Sequence, residues 1–198
     1  YSCFQHRDHQ QYLPSGEGYS IGALFALKTA GLDENGIPMF WKDGQKVSFS
    51  DFYGLEVNHD LFGDATLSSK LSNQEYRDLF TYVGTSEPKF TGGLINRFYY
   101  KNFDLTISGS FIIDQTVQET PFYDPSQTSP GQNYSKRMFD VWSSSNPNGK
   151  YPALLGKTME DGSLNMAQQW ISLKDPGNSF RNYDIWFKQM SYFRVNSI

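Results

Sequence analysis

Three residues near the start of the sequence have the types and spacing of metal ligands: Cys3, His6 and His9 form a C-x-x-H-x-x-H pattern. Thiolates and imidazoles are common ligands of zinc, and a structural zinc site needs four of them. The chain has 1 cysteine and 3 histidines in all, and the remaining histidine, His59, is not part of a second ligand pair. We therefore interpret this segment as a polar turn or linker and predict no metal site.

Acidic side chains are the second group with potential chemistry, because two carboxylates about 5–10 Å apart in one cleft can hydrolyse a glycosidic bond. Asp60, Asp64, Glu75 and Asp78 lie in one connection of the chain, but sequence spacing does not fix the distances between them. The sequence DENG at residues 33–36 lacks the distal bidentate glutamate of a calcium loop and is typical of a hairpin turn. A glycosidase domain is kept as one alternative.

Motifs and composition exclude several other functions. The sequence contains no G-x-S-x-G, P-loop or G-x-G-x-x-G motif, so we predict that the chain is not an enzyme and uses no cofactor. A net charge of −4 and an isoelectric point near 5.3 argue against nucleic acid as a partner. None of the 198 residues belongs to an apolar run of about 18, so no membrane-spanning helix is expected.

The clearest structural pattern is the alternation along residues 103–113, FDLTISGSFII. Odd positions are apolar or glycine and even positions up to 110 are polar, which predicts a strand with one apolar and one polar face. A second run at residues 90–100 is separated from it by Lys101 and Asn102, and this spacing predicts a tight hairpin. In total we predict long strands at about residues 19–32, 90–100, 103–114 and 183–198. A smaller hairpin is predicted at residues 37–41 and 46–49, around Asp43-Gly44.

The connections between these strands are very unequal in length, with two residues in the hairpin and long loops at 33–89 and 115–182. Short turns on one side and long loops on the other are typical of outer-membrane barrels. We therefore predict an all-β chain that forms antiparallel strands of a large transmembrane β-barrel, as a fragment, with long extracellular loops that contain short helices. A soluble carbohydrate-binding β-sandwich has the same alternation and is the main alternative.

Two sets of residues are candidates for contact with a solute or a partner. The first is the polar face predicted to line the lumen, formed by Asp104, Thr106, Ser108 and Ser110. The second consists of aromatic residues in the second long loop, because exposed rings often dominate binding surfaces: Tyr134, Trp142 and Trp170. Short helices are predicted after Ser72 and within residues 133–142. Tyr192 and Phe193 are assigned to the interface on the turn side of the barrel.

Several segments, in a fixed order, resemble one bacterial protein family. Residues 17–25, EGYSIGALF, and 30–33, AGLD, resemble the "EGYPIGALF…AGLD" segment of the SusC/RagA family, which usually has proline where this chain has Ser20. Residues 83–105 resemble its "G…P…GG…N.F.YKNFDL" hairpin, residues 133–152 its next loop, and residues 191–198, SYFRVNSI, its "SYLRLKNI" strand. SusC/RagA proteins are TonB-linked outer-membrane transporters of Bacteroidota.

The resemblance implies that the chain is part of an importer of an oligosaccharide or oligopeptide in the bacterial outer membrane. It implies a barrel of about 22 strands around a plug, surrounded by lipid, with a SusD-like surface lipoprotein as a lid and TonB as the energy source. The matching segments cover late barrel strands and no plug domain. We therefore expect the remainder of the same barrel and its plug to be the partners of this chain, with TonB acting through regions absent here.

Overall fold

The computed structural model describes residues 17–59, 65–127, 131–159, 161–171 and 180–197. Among the described residues, strands account for 49% and helices for 16%, which confirms the prediction of a mostly β protein. The sheets are small, and within the described residues none of them closes into a barrel. The sequence cluster of Cys3, His6 and His9 lies outside the described residues, as do Asp60 and Asp64.

The described part of the chain contains ten strands and three short α-helices. The strands are β1 (Ala23–Leu27), β2 (Thr29–Leu32), β3 (Pro38–Lys42), β4 (Gln45–Val47), β5 (Leu55–His59), β6 (Ala65–Ser69), β7 (Phe80–Thr85), β8 (Phe90–Tyr100), β9 (Phe103–Gln118) and β10 (Phe187–Ser197). The α-helices are α1 (Phe49–Tyr53), α2 (Asn73–Asp78) and α3 (Met166–Trp170). Short 3-10 helices are present at Lys136–Asp140, Phe180–Asn182 and Asp184–Trp186.

The three longest strands form one antiparallel sheet with β9 in the centre, between β8 and β10. β8 and β9 pair without interruption, from Phe90 opposite Ile113 to Tyr100 opposite Phe103. Lys101 begins the turn between them with a φ of 52°, the left-handed conformation that two-residue hairpin turns favour. This hairpin occupies the residues at which the alternation pattern places it.

A bulge at Asp114 divides β9 into two parts. Asp114 has a φ of 57°, and the pairing with β10 shifts by one residue between Met190 and Tyr192. Its carboxylate forms an ion pair with Lys89 and accepts a hydrogen bond from Gln189 Nε2 at 2.5 Å. Bulges of this kind bend a strand and increase its twist. The bulge therefore marks the boundary between the long hairpin and the connections that fold beyond it.

The remaining strands form small sheets: β1 pairs with β7, β2–β3–β4 form a meander, and β5 pairs with β6. β3 and β4 are joined by Asp43 and Gly44, whose φ values are 52° and 77°. This left-handed pair is the turn preferred in tight hairpins. α2 begins after Ser72, whose side chain and that of Glu75 form a reciprocal capping box; such caps supply partners for the free N–H groups of the first turn.

The two long loops, here called the first connection (residues 33–89) and the second connection (residues 115–182), fold together around one aromatic core. Phe40 stacks on Phe52 with their ring centroids 4.2 Å apart and meets Tyr183 edge-on at 5.2 Å. Ring pairs in these geometries stabilise a core beyond the burial of their area. The largest fully buried side chains come from both connections and from the segment before β10: Phe40, Phe52, Tyr53, Phe180, Tyr183 and Trp186.

The structure differs from the predicted boundaries in three places. The predicted strand at residues 19–32 is two strands in different sheets, since β1 pairs with β7 and β2 with β3. At the start of β2, Asp184 Oδ1 accepts hydrogen bonds from the backbone N–H and hydroxyl of Thr29. The predicted loops at 33–89 and 115–182 contain the predicted hairpin (β3 and β4) and short helices (α2 and the 3-10 helix at Lys136–Asp140). They also contain β5 to β7, the end of β9, α1 and α3, which the sequence pattern does not predict, because the rings of both loops share a core. The predicted strand at 183–198 begins only at Phe187, since Tyr183 and Trp186 are buried in that core.

The assignment of Tyr192 and Phe193 to the turn side of the sheet is also wrong. The two residues lie opposite Ile112 and Phe111, and β10 ends at Ser197, opposite the middle of β9. Because β10 runs antiparallel to β9, its first half lies near the folded connections. Tyr192 and Phe193 therefore lie in the half of the sheet away from the Lys101 turn.

Candidate functional site

The sheet formed by β8, β9 and β10 has two faces of different chemistry. Residues directly opposite one another on antiparallel strands point to the same face. The register therefore places on one face, here called the apolar face, the side chains of Phe90, Leu94, Phe98, Phe103, Leu105, Ile107, Phe111, Ile113, Phe193 and Val195. Tyr100 and one polar residue, Asn96, lie on the same face. Leu94 is 53% exposed and Phe193 57% exposed. Contiguous exposed apolar side chains mark a surface that contacts protein or lipid.

Two glycines on the apolar face are covered by rings from the neighbouring strand. A Cβ atom at Gly92 would lie 2.4 Å from the ring of Phe111, and one at Gly109 would lie 2.3 Å from the ring of Phe193. The rings thus lie across bare backbone, an arrangement that shields the glycine peptide groups and pins the strand register. The apolar face is therefore continuous across both glycines.

The opposite face, here called the polar face, carries all four residues that the sequence predicts to line a lumen: Asp104, Thr106, Ser108 and Ser110. The register also places Arg97 opposite Thr106 and Arg194 opposite Ser110. The structure therefore brings the predicted residues together on one face and adds two guanidinium groups to them.

A hollow of about 390 Å³ opens on the polar face. Volumes of about 300–1,000 Å³ are typical of sites for small molecules. Five residues of the polar face line this hollow, Thr91, Ser110, Ile112, Tyr192 and Arg194, together with Gly92 and Phe111, which the register assigns to the apolar face. The polar face therefore supplies three hydroxyl groups, one guanidinium group and the apolar side chain of Ile112, which is a suitable lining for a polar solute that carries negative charge.

β8 and β10 are the edges of this sheet, and each has one neighbouring strand in the described part of the chain. Both are 11 residues long. A long exposed edge presents rows of N–H and C=O groups that pair readily with a further strand. Both edges are thus open to additional strands.

A cluster of charged and aromatic side chains, here called the junction cluster, joins the sheet to the folded connections. Arg137 donates hydrogen bonds to Glu119 Oε2 at 3.2 Å and to the hydroxyl of Tyr151 at 2.6 Å. Its guanidinium carbon lies 4.6 Å from the ring centroid of Phe122. Glu119 also accepts a hydrogen bond from Lys188 Nζ at 2.7 Å. Because Glu119 follows β9 and Lys188 is near the start of β10, the cluster ties both strands to the second connection.

The contacts of the junction cluster shift the pKa values of its members. The hydrogen bond from Lys188, together with the positive charges of Lys188 and Arg137, lowers the pKa of Glu119. The hydrogen bond with Tyr151 is the main cause that raises the pKa of Arg137. Glu119 and Arg137 are therefore both ionised at neutral pH, and their attraction persists throughout that range.

The three aromatic residues predicted to contact a ligand or partner have different surroundings. Tyr134 is 38% exposed, and its hydroxyl donates to Gln132 Oε1 at 3.3 Å. Trp142 is half-buried, and its ring lies against Gly36. Trp170, at the end of α3, packs on the aromatic core. The structure therefore does not gather the three into one site, and it gives Trp142 and Trp170 clear packing roles.

Sequence reasoning missed Arg97, Arg194 and Arg137 as members of these sites. The sequence of β8 does identify Arg97. Leu94 and Phe98 are even-numbered and Arg97 is odd-numbered, so alternation places Arg97 on the face opposite these apolar residues. Grouping Arg194 with Ser110 requires the register between β9 and β10. No local pattern joins Arg137 to its partners, because they are far away along the chain.

The remaining candidates for chemistry have local roles or lie outside the described ranges. Glu75 Oε2 accepts hydrogen bonds from the backbone N–H and hydroxyl of Ser72, and Asp78 accepts one from Gln74. Across the described ranges, no three His, Cys, Asp or Glu side chains form a group that could hold a metal ion. None of the helices described is long and apolar enough to cross a membrane.

Comparison with known proteins finds no family model and no curated protein that matches the chain. Function is therefore inferred from the chemistry of the two faces, from the open edges of the sheet and from the sequence motifs.

Proposed function

We propose that this chain forms part of the wall of an outer-membrane, TonB-dependent nutrient importer that takes up an oligosaccharide or an oligopeptide. The observation that carries this proposal is the exposed apolar face, which is backed by a polar face on the same three strands. In a barrel wall, the outer face meets lipid and the inner face lines an aqueous lumen. The ordered segments that resemble SusC/RagA proteins support the same assignment.

The length of β8 fits a membrane-spanning strand. Its 11 residues extend about 36 Å at ~3.3 Å per residue, or about 28 Å along the membrane normal at a tilt of ~40°. The apolar band of outer-membrane barrels is about 25 Å tall. Tyr99, Tyr100 and Phe103 are exposed beside the tight turn, where aromatic side chains commonly lie at the membrane interface.

The folded connections gather at the other end of the sheet, away from the Lys101 turn. β9 ends there, β10 begins there, and the junction cluster lies between them. We infer that this end is extracellular. The shared aromatic core then gives the loops a fixed shape, which suits the wall of a substrate vestibule and a surface for a SusD-like lipoprotein lid.

The open edges of β8 and β10 fit a sheet that continues into further strands. Lipid supplies no hydrogen-bond partners, so an unpaired edge within a bilayer is not stable. In the proposed importer both edges pair with other strands of the same barrel, and a plug fills the lumen. The polar face, with Asp104, Thr106, Ser108 and Ser110, lines that lumen.

Fractionation and uptake measurements on cells that produce this protein test the proposal. We expect the protein in the outer membrane, resistant to extraction by alkaline carbonate and released by detergent. We also expect TonB-dependent uptake of a labelled oligosaccharide or oligopeptide that is lost when the protein is deleted. Recovery of the protein in the aqueous fraction without detergent would overturn the proposal.

The two alternatives have less support. A soluble carbohydrate-binding β-sandwich needs a second sheet about 10 Å above the apolar face, but that face is exposed in the described part of the chain. A glycosidase needs two facing carboxylates, and Glu75 and Asp78 are engaged within α2 and its cap. The importer accounts for the exposed apolar face, and neither alternative does.

A further inference from the structure

We propose that the hollow on the polar face binds the carboxylate of an acidic sugar, and that Arg194 recognises that carboxylate. The inference rests on the proposed function, because it treats the polar face as the wall of a solute pathway. It goes further by naming the class of solute, an acidic saccharide in preference to a neutral one.

Arg194 is available to bind an anion. It is exposed, and among the described residues no carboxylate forms an ion pair with it. The acidic residues on the strands around it are remote or occupied. Asp104 is six residues from Ser110 along β9, or about 20 Å, and Asp114 is paired with Lys89. A free guanidinium group with its planar set of donors is well suited to a carboxylate.

The other groups around Arg194 suit a sugar ring. Tyr192 lies two residues earlier on β10 and is 41% exposed, so its ring offers a surface on which a pyranose can pack. Thr91 on β8 and Ser110 on β9 line the same hollow, and each carries a hydroxyl group. Ser110 already donates to Asn196 Oδ1 at 3.3 Å, which leaves its oxygen free to accept a hydrogen bond from a sugar hydroxyl.

The charge of the whole polar face favours the same ligand. Arg97 lies on this face near the Lys101 turn, and Arg194 lies opposite Ser110, in the middle of β9. The only carboxylate among the four predicted lumen residues is that of Asp104. Two guanidinium groups against one carboxylate leave these residues with a net positive charge, and an excess of one sign concentrates solutes of the opposite sign, so an acidic sugar is attracted towards the hollow.

Calorimetric titration of the whole protein in detergent with a galacturonate trisaccharide tests the inference. The fully methyl-esterified trisaccharide is the matched ligand, because it keeps the rings and hydroxyls but carries no charge. We expect wild-type protein to bind the acid about 10-fold more tightly than the ester, as a charge-assisted hydrogen bond implies. Arg194→Gln should bring this ratio close to 1, and Arg194→Lys should retain part of it. Lys101→Gln removes an exposed cation at the turn and should leave the ratio unchanged.

Equal affinity of the wild-type protein for the acid and the ester overturns the inference, as does an unchanged ratio in Arg194→Gln or a lack of binding to the acid. Detergent-dependent extraction of Arg194→Gln from the outer membrane, as for wild-type protein, shows that the variant is assembled. Failure of the importer proposal is a separate result, because it appears as wild-type protein in the aqueous fraction.

Discussion

At Gly36, backbone conformation and packing both depend on the absence of a side chain. Its φ is +75°, and a Cβ atom there would lie 2.5 Å from the ring of Trp142 and 2.7 Å from Cβ of Ala153. Its carbonyl also accepts a hydrogen bond from the backbone N–H of Ala153 at 2.9 Å. A single residue of the first connection is thus fitted closely against the second, so it is a sensitive probe of their packing.

We predict that Gly36→Ala destabilises the folded connections by several kcal/mol. The left-handed backbone contributes about 1 kcal/mol, and the clash with Trp142 adds about 1–3 kcal/mol of overpacking. Gly44→Ala is the matched control, because Gly44 has a φ of +77° but no atom within 4 Å of the added Cβ. Denaturant unfolding followed by tryptophan fluorescence measures both changes. Equal losses in the two variants would contradict the packing of the two connections.

The contacts of the junction cluster predict how the stability of the folded state depends on pH. Because Lys188 and Arg137 lower the pKa of Glu119, the ionised carboxylate stabilises the folded state at every pH above the ordinary glutamate pKa of about 4.3. The stabilisation is lost as the pH falls through the lower pKa of the folded state. As the pair is partly exposed, its size is about 1 kcal/mol or less.

Comparison of wild-type protein with Glu119→Gln checks this prediction. At pH 6–7 the variant should unfold at a lower denaturant concentration. The difference should shrink as the pH falls below the ordinary glutamate pKa of about 4.3, and it should vanish below the lower pKa of the folded state. Lys70 and Glu56 form a more exposed ion pair, so Glu56→Gln serves as a control with a smaller effect. A difference between wild type and Glu119→Gln that persists unchanged into acid would rule out the ion pairs as its cause.

Individual elements differ in how far the sequence determines them. The β8–β9 hairpin, the Asp43-Gly44 turn and the cap of α2 could be predicted, because alternation, turn residues and capping residues act over a few neighbours. The pairing of β1 with β7 could not, since it joins residues such as Phe25 and Tyr82 that are far apart along the chain. The strand-like residues at 183–186 form a 3-10 turn because the core, and not their local pattern, determines their position.

Some parts of the candidate site can likewise be predicted from the sequence and others cannot. The two faces of β9 follow from its alternation, so Asp104, Thr106, Ser108 and Ser110 could be grouped from the sequence alone. The hollow could not be predicted, because Thr91 and Arg194 reach it from two other strands whose register is set by pairing and by a bulge. The junction cluster likewise depends on contacts between distant segments. The alternation of a strand and the residues of a turn depend on neighbouring positions in the sequence. A site shared by three strands depends on how distant segments pair.

The opposite faces of β8 allow a matched pair of substitutions. Leu94 and Ile95 are adjacent, apolar and exposed, but Leu94 points to the apolar face and Ile95 to the polar face. Both lie near the middle of the strand. In a barrel wall, Leu94→Arg should cost about 2–4 kcal/mol, because an arginine there enters the centre of the bilayer. Ile95→Arg should cost much less, since its side chain reaches water in the lumen.

Denaturant titration of the protein in lipid vesicles measures both costs, with the folded fraction followed by its altered migration in unheated gel samples. The levels of the two variants in the outer membrane should follow the same order. Similar losses for Leu94→Arg and Ile95→Arg would contradict the assignment of the apolar face to lipid.

The described part of the chain combines an enclosed aromatic core with a sheet whose apolar face is exposed. Aromatic residues are 17% of the chain, and many of them lie in these two parts: Phe40, Phe52 and Tyr183 are buried in the core, whereas Phe98 and Tyr100 are exposed on the sheet. A soluble domain would bury the apolar face of such a sheet. The combination is explained if lipid covers that face and the folded connections stand above the membrane.

Spin-label accessibility at residues 94 and 95 tests the contact with lipid most directly. Leu94→Cys and Ile95→Cys would each be prepared with Cys3→Ser, labelled with a nitroxide and reconstituted in vesicles. Oxygen, which concentrates in the bilayer, and a water-soluble nickel chelate then report the surroundings of each label. We predict that the label at 94 collides mainly with oxygen and the label at 95 mainly with the nickel chelate. High access of the nickel chelate to both labels would contradict a membrane wall.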